Sequence, residues 1–318
     1  MSQHRPLHFQ SVSFAGLAPG ARLIVLGAVH GNETCGTQAI RRVIAEVEAG
    51  TLGVAAGEVT FVPVANPLAY ARHQRMGDRN LNRNLAPSDA PAEFEDHVAN
   101  WLCPLLARHD ALLDLHSFHT AGEPFVMLGP EDNSGQLEPF ARAAEETALA
   151  LSLGVRRFVD GWLDTYAAGV ARRLAGGASA READVHYGVG TTEYMRAQGG
   201  IALTLECGQH DDPAAPDVAY RAIHNALAHL GLSGAPAPAP VGRTEALRLY
   251  QVIDRADPGD RFAREWASFD RVTAGECIGT RHDGTPVVAD RDGYIVFPNP
   301  AALAGQEWFY LARPSTRV

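Results

Sequence analysis

No lysine occurs anywhere in the sequence; all 27 basic residues are arginine. That absence excludes whole reaction classes, because a Schiff base, a pyridoxal phosphate anchor and a Walker phosphate loop each need a lysine amine. What remains is a set of rigid, permanently charged forks suited to carboxylates and phosphates. Genomic base composition is sufficient to explain the bias, but the chemical exclusion holds either way. Cysteine is also scarce. Its four copies, Cys35, Cys103, Cys207 and Cys277, form no C-x-x-C pair and no disulfide framework, which fits a reducing compartment. The longest apolar runs are strand-sized, such as LIVLGAV, so no segment is long enough to span a bilayer. The opening MSQHRPLHFQSVSF lacks the apolar stretch of a secretion signal, and the expectation is a cytoplasmic protein. A net charge of −10 disfavours nucleic acid and anionic membrane as partners.

What is present is an alternation of short β-rich runs and helical patterns over the first two-thirds of the chain, which argues for an α/β domain with a largely parallel sheet. The patterns predict strands at Leu23–Val29, Val59–Ala65, Leu112–His116, Phe125–Leu128 and Ile201–Glu206. They predict helices at Thr37–Ala49, Pro91–Ala107, Glu138–Ser152 and Ala215–Leu230, with apolar positions at i, i+3 and i+4. Leu174–Ala183, rich in Gly, Ala and Ser, reads as a loop. The stretch SGAPAPAPVG (Ser233–Gly242) then breaks the pattern as an extended, semi-stiff linker. Residues 1–232 are thus expected to form one domain. Residues 243–318, short β runs punctuated by Gly and Asp-Gly turns, form a small all-β domain.

The chemistry concentrates where predicted strands end. In LIVLGAVHGNETCG, His30 follows a strand and Glu33 is expected in the first turn of the next helix, at the carboxyl edge of the sheet where open α/β folds bind ligands. Alone, H-x-x-E is weak: roughly 0.7 such pairs arise by chance in 318 residues with 13 histidines. A helix-capping glutamate beside a solvated histidine explains it equally well. The balance shifts at LLDLH, where a second strand ends in His116. Two His and one Glu make the ligand set of a catalytic zinc that keeps one position open. Asp114, two residues earlier on the same strand face, is a candidate to orient a ligand, with a purely structural role equally open. His119 is a competing, weaker ligand. A third strand, IALTLE, ends in Glu206, placed to shuttle a proton for a hydrolase. Between these, Arg72, Arg75, Arg79 and Arg83 surround an Asn-rich loop, with Arg196 later. The cluster suits an anionic substrate, or is a solvated charged loop.

Taken in order, HGNE, an NP whose Asn lies nine residues before Arg75, LNR, DLH and LE-x-G resemble the aspartoacylase and succinylglutamate desuccinylase family, zinc amidohydrolases related to the zinc carboxypeptidases. The resemblance covers roughly residues 20–318. It implies a carboxypeptidase-like mixed sheet flanked by helices, with one zinc per chain bound by His30, Glu33 and His116. It implies Glu206 as general base and Arg75 as polariser of the scissile carbonyl. Asn82 and Arg83 would hold a substrate carboxylate, and Arg196 a second one. Two positions depart from aspartoacylase. Leu303 stands where that enzyme has a pocket tyrosine, with neither Tyr294 nor Tyr310 in register, and Asn80 replaces an acidic residue. The C-terminal part resembles the barrel-sandwich of biotinyl and lipoyl carriers, but a chain without lysine cannot be a carrier. It is expected to form a wall or lid over the site.

The expected activity is therefore zinc-dependent removal of an acyl group from a small anionic N-acyl amino acid. A zinc carboxypeptidase acting on short peptides, or a metal-bearing binding protein without turnover, are the rivals. Neither the acyl group nor the amino acid is specified, and a homo-oligomer is left open.

Overall fold

The computed structural model describes residues 7–175 and 184–318. Eleven strands form one mixed sheet, in the order β1 (Val12–Ala15), β3 (Ala56–Val62), β2 (Ala18–Gly27), β4 (Ala111–Phe118), β7 (Ile201–Gln209), β5 (Phe125–Met127), β6 (Arg157–Asp160), β8 (Glu245–Asp254), β14 (Glu307–Pro314), β13 (Gly293–Val296) and β10 (Arg271–Val272). A second, three-stranded sheet runs β12 (Pro286–Val288), β11 (Cys277–Thr280), β9 (Arg261–Phe262).

The centre of the large sheet is buried on both faces, which is why its strands read as unbroken apolar runs. Alternation along each strand divides the core in two. Leu23 and Val25 of β2, Leu113 and Leu115 of β4, and Leu203 and Leu205 of β7 pack against α1 (Cys35–Glu48), α4 (Ala143–Ser152) and α7 (Ala215–His229). The alternate residues Ile24, Leu26, Leu112 and Ala202 pack against α3 (Phe94–Leu106) and Met195 of α6 (Thr191–Ala197). By the same parity Asp114 and His116 share the face of Leu112, and Glu206 shares that of Ala202. Parallel pairing of β4 with β7 sets His116 directly opposite Glu206.

The sheet is less parallel than the sequence pattern suggests. Strand β5 runs antiparallel to β7, because residues 119–124 form a connection too short for a parallel crossover. Past the Pro/Ala stretch, β8 pairs in parallel with β6 and antiparallel with β14, so one sheet continues into the C-terminal segment. There Trp266, Ile278, Ile295, Trp308 and Phe309 make a separate core between the two sheets. Helices α2 (Pro67–Arg72) and α5 (Trp162–Ala175), and strand β6, have no counterpart in the sequence patterns. Leu174 and Ala175, expected in a loop, end α5; the rest of that segment, residues 176–183, lies outside the described residues. Among the described residues no helix is long and apolar enough to cross a membrane.

Candidate active site

Strand β2 stops at Gly27, and Ala28 adopts a left-handed backbone (φ 48°) that turns the chain toward His30. A Cβ on Gly31 would lie 2.0 Å from the carbonyl carbon of Ala69 in α2, so only glycine allows the loop to sit this close. Glu33 falls in this turn, its amide bonded to the His30 carbonyl at 3.2 Å, and α1 begins only at Cys35. It is therefore held by the turn rather than by a helical first turn, a correction to the sequence reading.

Among the described residues, His30, Glu33 and His116 form one buried cluster whose donor atoms all lie within 4.8 Å of one another. Each Glu33 oxygen meets one imidazole Nδ1 at 2.9 Å, Oε1 that of His30 and Oε2 that of His116. Behind them stand orienting groups. His30 Nε2 lies 3.1 Å from Asn80 Oδ1, so the departure at position 80 supplies an acceptor without a charge. His116 Nε2 lies 3.0 Å from Asp114 Oδ2, off the line of a hydrogen bond; that oxygen accepts from the Thr191 hydroxyl at 2.5 Å. Burial and the nearby Arg75 push the His30 imidazole down to about 4. Burial opposes charge on His116 too, but Asp114 and Glu33 hold its pKa well above the ordinary histidine range. Two imidazoles and a carboxylate converging on one point, with Asn80 and Asp114 behind the rings, fit a zinc site, where a bound ion would take the place of the proton that His116 holds. His119 is not in the cluster; its ring packs edge-on against His210, 4.8 Å away between centroids.

Glu206 is buried beside this cluster, and among the described residues neither of its oxygens receives a hydrogen bond; Oε2 is enclosed without a partner. Burial pushes its carboxyl up to about 8, with the positive pull of His116 insufficient to offset it. Arg75 reaches in from the 66–85 loop to bond Glu33 Oε1 at 3.0 Å.

That loop is organised by a residue the sequence reading passed over. Glu95 of α3 is fully buried and accepts from the Asn66 side chain and the backbone amides of Gly77, Asp78 and Arg79 at 2.8–3.1 Å. Arg79, expected among the anion-binding cluster, instead bonds Asp96 and the Arg83 carbonyl and serves as loop structure. No sequence signal marks Glu95, because its partners are one side chain 29 positions away and backbone amides 16–18 positions away.

His30, Glu33, His116, Glu206, Arg75, Asn82, Arg83 and Arg196 line one cavity of about 580 Å³, a small-molecule size, whereas Arg72, Arg79 and Asp114 are not among its lining residues. Its far wall comes from the C-terminal segment, including Phe297, Asn299, Leu303, Glu307 and Tyr310, which matches the expected wall; Tyr294 is not part of it. The Asn82 side-chain oxygen Oδ1 accepts from the Thr191 amide (2.9 Å). Neither substrate arginine is unpaired. Arg83 gives one bond to Glu307 (3.2 Å) and one to the Asn82 carbonyl (2.8 Å). Arg196 gives two to Glu146, one to Glu138 and one to the Ala202 carbonyl, a correction to its reading as a ready second carboxylate reader. Its hydrogen-bonded carboxylates, Glu146 and Glu138, lie 50 and 58 residues away in sequence, which hid them.

Residues 19–229 match the model of the succinylglutamate desuccinylase/aspartoacylase catalytic domain. A succinylglutamate desuccinylase of Vibrio cholerae is 28% identical over 294 residues, 89% of this chain and 78% of that protein. A solved structure of a succinylglutamate desuccinylase/aspartoacylase from Rhodobacter sphaeroides aligns with TM-score 0.71 at 18% identity, over 96% of this chain and 89% of that one. The product-bound ectoine utilization protein EutE (DoeB) from Ruegeria pomeroyi aligns with TM-score 0.68 at 18% identity, over 95% and 88%. At those identities the structural likeness speaks for the fold alone. The catalytic-domain match, however, spans well over half the sequence and contains every ligand candidate, and the chain belongs to the succinylglutamate desuccinylase/aspartoacylase family.

Proposed function

We propose that the protein is a zinc-dependent deacylase that hydrolyses the amide bond of a small N-acyl amino acid. The observation that carries this reading is Glu206: a buried carboxylate without hydrogen bonds, opening on a cavity next to a two-histidine, one-glutamate cluster. A carboxylate in such a place is costly unless it handles protons. Zinc held by His30, Glu33 and His116 would supply a Lewis acid and a source of hydroxide near neutral pH. Glu206 takes the proton from the attacking water and returns it to the amine nitrogen as the C–N bond breaks. Arg75 sits against the same cluster, with its guanidinium partly open to the cavity, and offsets the negative charge that grows on the carbonyl oxygen. Asn82 and Arg83 hold the substrate carboxylate. The relatives named as succinylglutamate desuccinylases support the reaction class. The C-terminal wall and the cavity volume favour a small acyl amino acid over a peptide chain.

The test is to measure zinc content and to screen the protein against N-acetyl, N-succinyl and N-formyl amino acids alongside short peptides. About one zinc per chain and turnover of at least one acyl amino acid are expected. Glu206→Gln should keep zinc and fold while losing on the order of 100-fold or more in kcat. Near-normal turnover by that variant, or cleavage of peptides alone, would reject the assignment.

A further inference from the structure

The Arg83 corner of the cavity holds more donors than acceptors. Of the five guanidinium N–H groups of Arg83, two are used, one on the Asn82 carbonyl and one on Glu307. Its charge lies over the Trp162 ring at 4.8 Å and near the Tyr166 ring at 5.8 Å. The Tyr310 ring lies 5.5 Å from that of Trp162. Tyr166 and Tyr310 both line the cavity, at 1% and 4% exposure. Among the described residues, neither hydroxyl has a hydrogen-bond partner. Two enclosed phenols with nothing to bond each forfeit a favourable interaction, unless an oxygen-bearing ligand supplies it.

Glu307 shows what that ligand resembles. Its carboxylate, brought in at the start of β14, touches Arg83 through a single nitrogen at 3.2 Å, longer and less constrained than a forked pair. Burial works against ionisation of Glu307, but Arg83 holds its pKa below the ordinary range, so it is a carboxylate at neutral pH. Its side chain keeps 29% exposure, which leaves it a way out to water. The neighbouring Arg173 is not available in the same way, being forked onto Asp254 at 2.7 Å through both nitrogens.

We propose that Tyr166 and Tyr310 are substrate-reading residues that complete a carboxylate subsite with Arg83, and that Glu307 is an internal stand-in which the substrate carboxylate displaces. This rests on the deacylase reading for the identity of the substrate, but not for the corner itself. The incoming carboxylate accepts from the unused guanidinium N–H groups and from the phenol hydroxyls, while Glu307 swings to solvent. Asn82, aligned by Thr191, borders the same corner.

The test separates the two readings by using binding as well as turnover. N-acetyl-L-alanine and its C-terminal amide are titrated by calorimetry into the zinc-loaded Glu206→Gln protein, which keeps the cavity but not the proton acceptor. The acid should bind more tightly than the amide. Adding Tyr310→Phe or Tyr166→Phe should shrink that ratio, on the order of ten-fold for the residue that bonds directly, with amide binding nearly unchanged. Adding Glu307→Gln should tighten acid binding. Because the hydroxyls have no internal partner, the Phe variants should melt no lower than their parent. An acid-to-amide ratio that neither Phe change moves, a Glu307→Gln change that weakens acid binding, or a lower melting temperature in both Phe variants would each overturn the subsite. If the corner behaves as described while the wild-type protein hydrolyses no acyl amino acid, it is the deacylase reading that falls.

Discussion

Two arginines face one cavity, yet their surroundings make them different objects. Arg196 lies between Glu146, which it grips through two nitrogens, and Glu138, with Glu193 a further 3.7 Å neighbour and the Ala202 carbonyl on its remaining side. Four bonds and up to three negative charges surround one positive charge, so this end of the cavity has no cationic surplus. Arg83 has one weakly held carboxylate, aromatic rings on its faces and unused donors. A guanidinium is always charged, so what decides its role is how many acceptors the fold has already given it. Arg196 fastens α6 to α4 and β7. Arg83 keeps donors to spare.

The largest effect expected from this contrast is on stability. Arg196→Leu leaves Glu146, fully buried, with no counter-charge, and breaking a buried pair from one side costs about 3–5 kcal/mol. Denaturant or thermal unfolding should show that loss, while the protein that remains folded keeps its choice among acyl amino acid side chains. A variant of normal stability that loses a preference for acyl-aspartate or acyl-glutamate would restore Arg196 as a second carboxylate reader and erase the distinction between the corners.

Arg83→Ala should do the reverse. If Arg83 holds the substrate carboxylate as proposed, truncating that charge costs about 2–5 kcal/mol of binding. The signature is a loss of roughly 100-fold or more in kcat/KM for acids, a far smaller loss for the corresponding amides, and a modest change in melting temperature. Equal losses for acids and amides would mean that Arg83 shapes the cavity without reading the carboxylate.

The distinction between the two arginines was invisible in sequence, and the reason is general to the rest of the site. The His30–Glu33–His116 cluster was legible because its members sit at or just past the ends of buried apolar strands, where a His or Glu has few structural reasons to be. The runs 23–29, 112–116 and 201–206 each carry that pattern within their own few positions, and parallel register then sets His116 opposite Glu206. What failed were features fixed by contacts remote in sequence. Glu146 lies 50 residues from Arg196, Glu307 lies 224 from Arg83, and Glu95 organises a loop through backbone amides that any residue types would present. Strand β6, four residues with Arg and Asp at its ends, is too short and too polar to show a period of its own; pairing with β5 and β8 makes it a strand. The residue patterns alone missed the antiparallel half of the sheet for the same reason, since a short turn and a returning C-terminal segment, not local propensity, set those directions; the mixed sheet came from the family resemblance.

The smallest effect, and the one that compares the corners most directly, is the pH dependence that each glutamate adds. Burial, reinforced by Glu193 and Glu146 and only partly offset by Arg196, pushes the Glu138 carboxyl up to about 7 from its ordinary 4.5. The folded state therefore holds this proton more tightly than the unfolded chain. Its contribution to stability is complete below about 4.5 and is lost as pH rises through about 7. Glu307 has the opposite sign. Burial raises its pKa, but Arg83 more than compensates and leaves it below the ordinary value, so its contribution is complete above about 4.5 and fades as pH falls. Melting temperatures of the wild type minus those of Glu138→Gln should fall between pH 4.5 and 7 and then level off. The same difference taken against Glu307→Gln should be flat there and drop only on further acidification. Two curves of the same sign would mean that both arginines are equally supplied with negative charge, and the Arg83 corner would then have no vacancy for a substrate carboxylate.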